Sequence, residues 1–307
     1  MVSGIGPKKH LEEFGIPVIV DLPVGQNVQD HPAVSIHMEV KDPRLGAPGP
    51  SLSVEQFYQL WTTQNGPLAY STDSITYMNS KNNTERDWPN LYFYTIVQNV
   101  LDLNVQVSEM PGDVETLQEW QNYFRPYLGR FLTLSAPHVE RPRSWGSIRL
   151  QSKDPQVFPL IDANFLGNPL DRADLIECIK FMYYFLYHSS FSKYIRPLPE
   201  PIPGCKYCPN RLPYDCDEYI DCLIRRTGKS GWHLVGGSRM GDPKRPDTVV
   251  DPRGRVKYVD KLRVCDSSIM PKLINANTYS ASVMIGEKCA DMIKQDHYQN
   301  PSNYLKK

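Results

Sequence analysis

Twenty-seven of the 307 residues are proline, and that density limits the fold more than any other feature. Each proline removes a backbone donor and interrupts a helix interior or a central strand. A helical bundle is therefore excluded, and a fold of short strands, single helices and crossing segments is favoured. The densest stretch, 197–213, holds six prolines (Pro197, Pro199, Pro201, Pro203, Pro209 and Pro213). It is predicted to cross the molecule without regular structure.

Between the prolines the apolar pattern is readable. Residues 32–40 alternate, with Val34, Ile36, Met38 and Val40 against Ser35, His37 and Glu39, which predicts a half-buried strand. Residues 91–97 are rich in aromatic and β-branched types, and 131–135 and 146–152 read as two more strands. A short strand is expected over 16–20, after a short helix stopped by Gly15. Residues 41–52 read as loop. Asp113 is placed to cap a helix over 114–124, closed by Pro126. Asp171 opens a helix with Leu175, Ile179, Met182 and Leu186 at helical spacing, and a last helix runs from near Thr278 to about Lys294 with Ile285, Cys289 and Met292 on one face. There is no internal repeat and no regular βαβ alternation. The expectation is an α+β fold, an antiparallel sheet with helices on one side.

Lys plus Arg and Asp plus Glu each number 34, so the net charge is zero. A protein that grips nucleic acid through phosphate neutralisation carries a basic excess, and this chain has none. Nothing approaches the ~18 consecutive apolar residues of a membrane span. Residues 1–7 lack the basic start and apolar run of a signal peptide. Seven cysteines cannot all pair within one chain. Four of them, Cys205, Cys208, Cys216 and Cys222, cluster around the proline-rich stretch. One or two disulfides there would imply an oxidising compartment; a zinc site, with its closely spaced ligand pairs, and free buried thiols are the alternatives. The glycosylation sequon Asn82-Asn83-Thr84 agrees with secretion.

The densest chemistry lies in Gly231-Trp-His-Leu-Val-Gly-Gly-Ser-Arg-Met-Gly241. Closely spaced glycines beside a histidine let backbone pass tightly against something flat or bulky. Ser238 is not a hydrolase nucleophile of the G-x-S-x-G kind, since Gly236-Gly-Ser-Arg-Met240 lacks the second glycine. No G-x-G-x-x-G, P-loop or H-E-x-x-H occurs.

Several longer segments, taken in order, resemble the glucose–methanol–choline (GMC) oxidoreductases, and among them the arthropod glucose dehydrogenase-like branch. These are Ser3-Gly-Ile-Gly-Pro7 with Leu22-Pro-Val-Gly-Gln-Asn-Val-Gln-Asp-His-Pro32, Arg141-Pro-Arg-Ser-Trp-Gly-Ser-Ile-Arg-Leu150, the block around His233, and Cys265-Asp-Ser-Ser-Ile-Met-Pro271 followed by Asn275-Ala-Asn-Thr278. The resemblance spans residues 2 to about 295. It implies an FAD-dependent oxidation of an alcohol or sugar, with His233 and Asn277 as the catalytic pair and Trp232, Asp266, Ser267 and Thr278 on the cofactor side. An imidazole titrates near neutrality and can take the hydroxyl proton. An amide can hold the same oxygen, and the helix start after Asn277 carries partial positive charge. His31, inside Gln29-Asp-His-Pro32, reads as a structural histidine near the cofactor. No metal ligand set is assigned.

The resemblance also implies a domain plan. Residues 1–31 are expected to be a remnant of the FAD-binding α/β domain, 32–227 the substrate domain with the proline- and cysteine-rich crossing segment near 197–222, 228–296 the catalytic C-terminal part, and 297–307 a tail. The glycine-rich βαβ unit that holds the ADP half of FAD is missing from this sequence, which reads as a fragment of a longer, extracellular parent. A non-catalytic module that binds an alcohol or sugar without FAD is the alternative. The motifs assign neither the alcohol nor the electron acceptor.

Overall fold

The computed structural model describes residues 1–42, 53–64, 74–107, 110 and 114–299. Its contacts separate two units. One comprises Met1–His31, Glu140–Pro169 and Gly231–Lys307, the other Pro32–Val139 and Leu170–Ser230.

The second unit is built on an antiparallel sheet. Strand Phe131–Val139 is its centre. Leu91–Asn99 pairs along its full length, from Leu91 opposite Val139 to Asn99 opposite Phe131, and carries Ser74–Met78 on its other edge. Ile36–Val40 and Pro32–Ala33 lie on the opposite side of the central strand, flanked by Ile195–Pro197 and Lys229–Ser230. Every residue of Phe131–Val139 after the first is buried, as expected of a strand covered on both faces.

The strand expected over 32–40 is broken in two. Val34 N–H donates to Pro137 O at 3.2 Å, but Pro137 has no N–H to return, so the ladder lapses there. The helix Val114–Phe124 forms where expected; its proposed cap, Asp113, and most of the 41–52 loop lie outside the described residues. Helix Pro169–His188 starts two residues before Asp171, with proline in its first turn. Leu175, Ile179 and Met182 are buried. Helices Val54–Thr63 and Asp217–Thr227 were not anticipated. The four clustered cysteines are paired, Cys205 with Cys222 and Cys208 with Cys216, stapling the proline-rich stretch to helix Asp217–Thr227. Their sulfurs are thereby used, so the zinc alternative has no thiolates to work with.

In the first unit, Ile5–Gly6 and Val20–Asp21 form a short parallel pair, and Ser147–Arg149 pairs with Leu160–Asp162. The strand expected over 16–20 is thus reduced to its last residue and Asp21. Helix Lys8–Glu13 ends before Gly15, whose φ of 63° lies in the left-handed region that glycine favours. Residues 140–169, grouped by the sequence with 32–227, belong here. Val28 and Gly146 exchange hydrogen bonds, Ile148 N–H donates to Gly25 O, and Leu150 N–H donates to His10 Nε2. The core gathers Leu22, Val235, Val249, Val250, Val256, Ile269, Met270, Leu273 and Ile285. The final helix, Tyr279–Gln299, is fixed by a Cys265–Cys289 disulfide absent from the sequence reading and by Asp296, which Arg253, Arg255 and Arg263 share.

Candidate active site

An extended stretch, Gln29 to His31, organises the site within the first unit. Alternate residues of an extended chain point the same way, and here Gln29 and His31 both reach three other segments. Gln29 exchanges backbone hydrogen bonds with Val235, its side-chain amide donates to Pro142 O at 3.0 Å, and its side-chain oxygen accepts from Leu273 N–H at 3.1 Å. His31 is fully buried. Its Nε2 lies 3.0 Å from Glu140 O and 3.1 Å from Ile274 O, and its Nδ1 lies 2.8 Å from His233 Nδ1. Between them, Asp30 Oδ1 accepts the backbone N–H of His31 at 2.8 Å and of His233 at 2.9 Å.

These contacts fix the protons. Carbonyl oxygens only accept, so His31 Nε2 carries a hydrogen. In the neutral ring Nδ1 is then an acceptor, and the hydrogen between the two rings belongs to His233 Nδ1. His233 Nε2 is left with its lone pair, which is the form a proton acceptor needs. Burial lowers the His233 pKa below the ordinary imidazole value, and the Asp30 carboxylate offsets part of that shift. The ring is thus neutral near pH 7.

The loop after His233 turns at Gly236, whose φ is 89°. A Cβ there would lie 2.3 Å from Asn27 O, so glycine is required at this position of the crossing. Trp232 also has positive φ, at 63°, and its ring is 82% exposed. Asp266 caps the turn Ser267–Ile269 by accepting from Ser268 N–H, and Ser267 Oγ donates to Leu234 O at 3.3 Å. Ser238 and Met240 donate to Ser268 O and Ile269 O. The 266–269 turn and the 233–240 loop are therefore stitched together. Asn277 is exposed and precedes helix Tyr279–Gln299; Thr278 is buried, and its carbonyl accepts from Ser282 N–H and Oγ. Asn277 lies three residues after Ile274, whose carbonyl accepts from His31 Nε2.

The residues suit the flavin end of FAD. The first N–H groups of a long helix have no intrahelical partner and favour negative charge, and Trp232 and Tyr279 present exposed rings on either flank of the pair in sequence. Sequence reasoning marked His31 as a structural histidine near the cofactor but missed its contact with His233, and it missed Gln29 and Glu140 altogether. The i, i+2 spacing of Gln29 and His31 carried a signal; Glu140 offered none.

The family profile described as GMC oxidoreductase matches residues 142–286, a span that contains His233 and Asn277. Residues 142–286 thus match the C-terminal region of the GMC oxidoreductases. It is 30% identical over 300 residues to an oxygen-dependent choline dehydrogenase of Brucella ovis, covering 95% of this chain and 48% of that protein. It is 31% identical over 297 residues to a choline oxidase of Arthrobacter globiformis, covering 96% and 46%. A mutant formate oxidase from Aspergillus oryzae, solved for the effect of the mutation on FAD modification, superposes with a TM-score of 0.73 at 26% identity over 97% of this chain and 52% of that one. The chain thus spans about half the length of these GMC proteins. They act on choline and formate, and the glucose dehydrogenase-like branch suggested by the sequence gains no support from them.

Proposed function

We propose that this chain is the catalytic and substrate-binding half of an FAD-dependent oxidoreductase acting on CH–OH groups of a small alcohol. The observation that carries the reading is the His31–His233 contact, which leaves His233 Nε2 as a proton acceptor. His233 takes the hydroxyl proton of the substrate at Nε2, and Asn277 donates an amide hydrogen bond to the same oxygen and orients the carbon. Asp266 and Ser267 hold the loop that carries His233, and Thr278 immediately precedes helix Tyr279–Gln299, whose N-terminus favours negative charge on the cofactor side. When bound, FAD would supply the hydride acceptor, through residues Trp232, Asp266, Ser267 and Thr278 on its flavin side. The choline-acting relatives favour an alcohol over a sugar as substrate. The paired cysteines support an oxidising, extracellular compartment.

In the full-length polypeptide, His233→Ala should abolish most turnover while the protein remains yellow. Unchanged turnover in that variant would remove the assignment. A colourless full-length protein that still binds an alcohol by calorimetry would favour the non-catalytic binding module.

A further inference from the structure

We propose that Glu140 is a positioning residue for the proton-accepting histidine, acting through His31: the Glu140 carboxyl and the two imidazoles form one buried row in which protonation of any member is felt by the others. The proposal rests on the reading of His233 as the base. It adds a third member, from a segment that supplies none of the assigned site residues.

Glu140 is 2% exposed. It holds His31 from two sides. Its backbone carbonyl accepts from His31 Nε2, and its carboxyl Oε1 lies 3.7 Å from His31 Nδ1. The other carboxyl oxygen, Oε2, is buried without a hydrogen-bond partner. A buried acid with an unsatisfied oxygen is costly, and natural folds keep few of them without a use. Burial pushes this carboxyl up to about 8, so its charge changes within the range in which an imidazole base works. The titratable groups that the contacts place against the row are Asp30, on the backbone N–H groups of both histidines, and the members themselves. Arg141 and Arg143 follow Glu140 on its own segment.

The proton balance is simple. The alcohol O–H bond breaks and its proton binds His233 Nε2. The imidazolium so formed shares its Nδ1 hydrogen with His31 Nδ1, and the charge spreads over both rings. A Glu140 carboxylate, its Oε1 3.7 Å from the same His31 Nδ1, stabilises that charge. A protonated Glu140 does not, and leaves the pair a weaker base. Nothing beyond this proton moves along the row, and the pair and the carboxyl titrate as one coupled system.

The test uses this chain and needs neither FAD nor turnover, so it can fail independently of the assigned activity. Imidazole 15N shifts of His233 and His31 are followed against pH in wild type, Glu140→Gln and Glu140→Asp. In wild type the His233 shifts should show a second inflection near pH 8, where Glu140 ionises. Glu140→Gln should abolish that inflection and leave the main His233 midpoint nearly in place, because Glu140 is already protonated in the range below 6.5 where His233 titrates. Glu140→Asp should restore a second inflection. Identical His233 titrations in wild type and Glu140→Gln overturn the proposal. Should Glu140→Gln fail to fold, the Glu140 carboxyl 13C shift in wild type decides. A midpoint near 8 that moves when His31 is changed to Asn supports the row, and a midpoint in the ordinary carboxylate range refutes it.

Discussion

His31 Nδ1 lies 2.8 Å from His233 Nδ1, while His31 Nε2 donates to the carbonyls of Glu140 and Ile274. One buried ring therefore dictates the tautomer of the other. Replacing His31 with Ala frees the His233 ring to place its hydrogen on either nitrogen. We expect kcat of the full-length protein to fall ~10²–10⁴-fold, the range spanned by losing a general base or its correct tautomer. FAD content should stay unchanged. The 15N shifts of His233 should move from the Nδ1–H pattern toward a mixture, which a role in folding alone would not produce.

Because burial outweighs the attraction of Asp30, His233 should titrate below 6.5. A histidine whose pKa is depressed in the folded state binds fewer protons there than when unfolded. Its contribution to stability is thus present above 6.5 and lost as pH falls through and below that value. The acid limb of kcat/KM in the full-length protein should likewise fall only below pH 6.5. Asp30→Asn removes the opposing charge and should depress the His233 midpoint further, read by NMR.

Much of this molecule was legible in its sequence, and the failures have physical causes. The alternation at 32–40 and the β-rich run at 91–97 located strands of the antiparallel sheet, because a pleated surface selects those residues, although 32–40 forms two strands instead of one and Ser35 and Glu39 of its polar face are buried. The break at Val34 was hidden in a proline on a distant strand, Pro137, whose missing donor acts only once the two are paired. Helix Val54–Thr63, with every residue partly or fully exposed, has no buried stripe to advertise it. His233 and Asn277 were nominated by the resemblance to the GMC oxidoreductases. His31 was read only as a structural histidine near the cofactor and Glu140 not at all, because their contacts come from neighbours about 200 and 110 residues away in sequence, which no local spacing encodes.

Glu140 also has a stability signature. Its folded pKa, about 8, is raised above the ordinary 4.5. The folded state therefore binds more protons between those values, and its stability from this group is complete below 4.5 and is lost as pH rises toward and through 8. Glu140→Gln carries no ionisable group. Relative to wild type, it should gain stability steadily from pH 5 to 9, reaching on the order of 1–3 kcal/mol after allowance for relaxation and for the nearby His31. Urea midpoints across that range measure the gap; a constant gap would show that the carboxyl titrates normally.

The disulfide between Cys265 and Cys289 joins the turn bearing Asp266 and Ser267 to helix Tyr279–Gln299. With a sequence separation of 24 between the cysteines, the chain-entropy argument gives about 3.5 kcal/mol. Cys265→Ser with Cys289→Ser should lower stability by about that much, measured by denaturant unfolding. Amide exchange should rise at Ser267–Ile269, where the turn is otherwise held by hydrogen bonds to the 234–240 loop.

Gly236 offers the sharpest test of the loop. Its φ of 89° and the 2.3 Å approach of a built Cβ to Asn27 O oppose any side chain through separate effects, backbone strain and a clash with main chain that cannot swing aside. Gly236→Ala should cost about 2 kcal/mol or more in stability. The displaced loop should also loosen the Gln29–Val235 pairing that flanks the two histidines. Gly237 makes the control, because its added Cβ meets nothing closer than 3.9 Å. Gly237→Ala should leave both the fold and the His31–His233 coupling intact. Equal losses in the two variants would mean that the loop tolerates neither side chain for reasons other than the contact with Asn27.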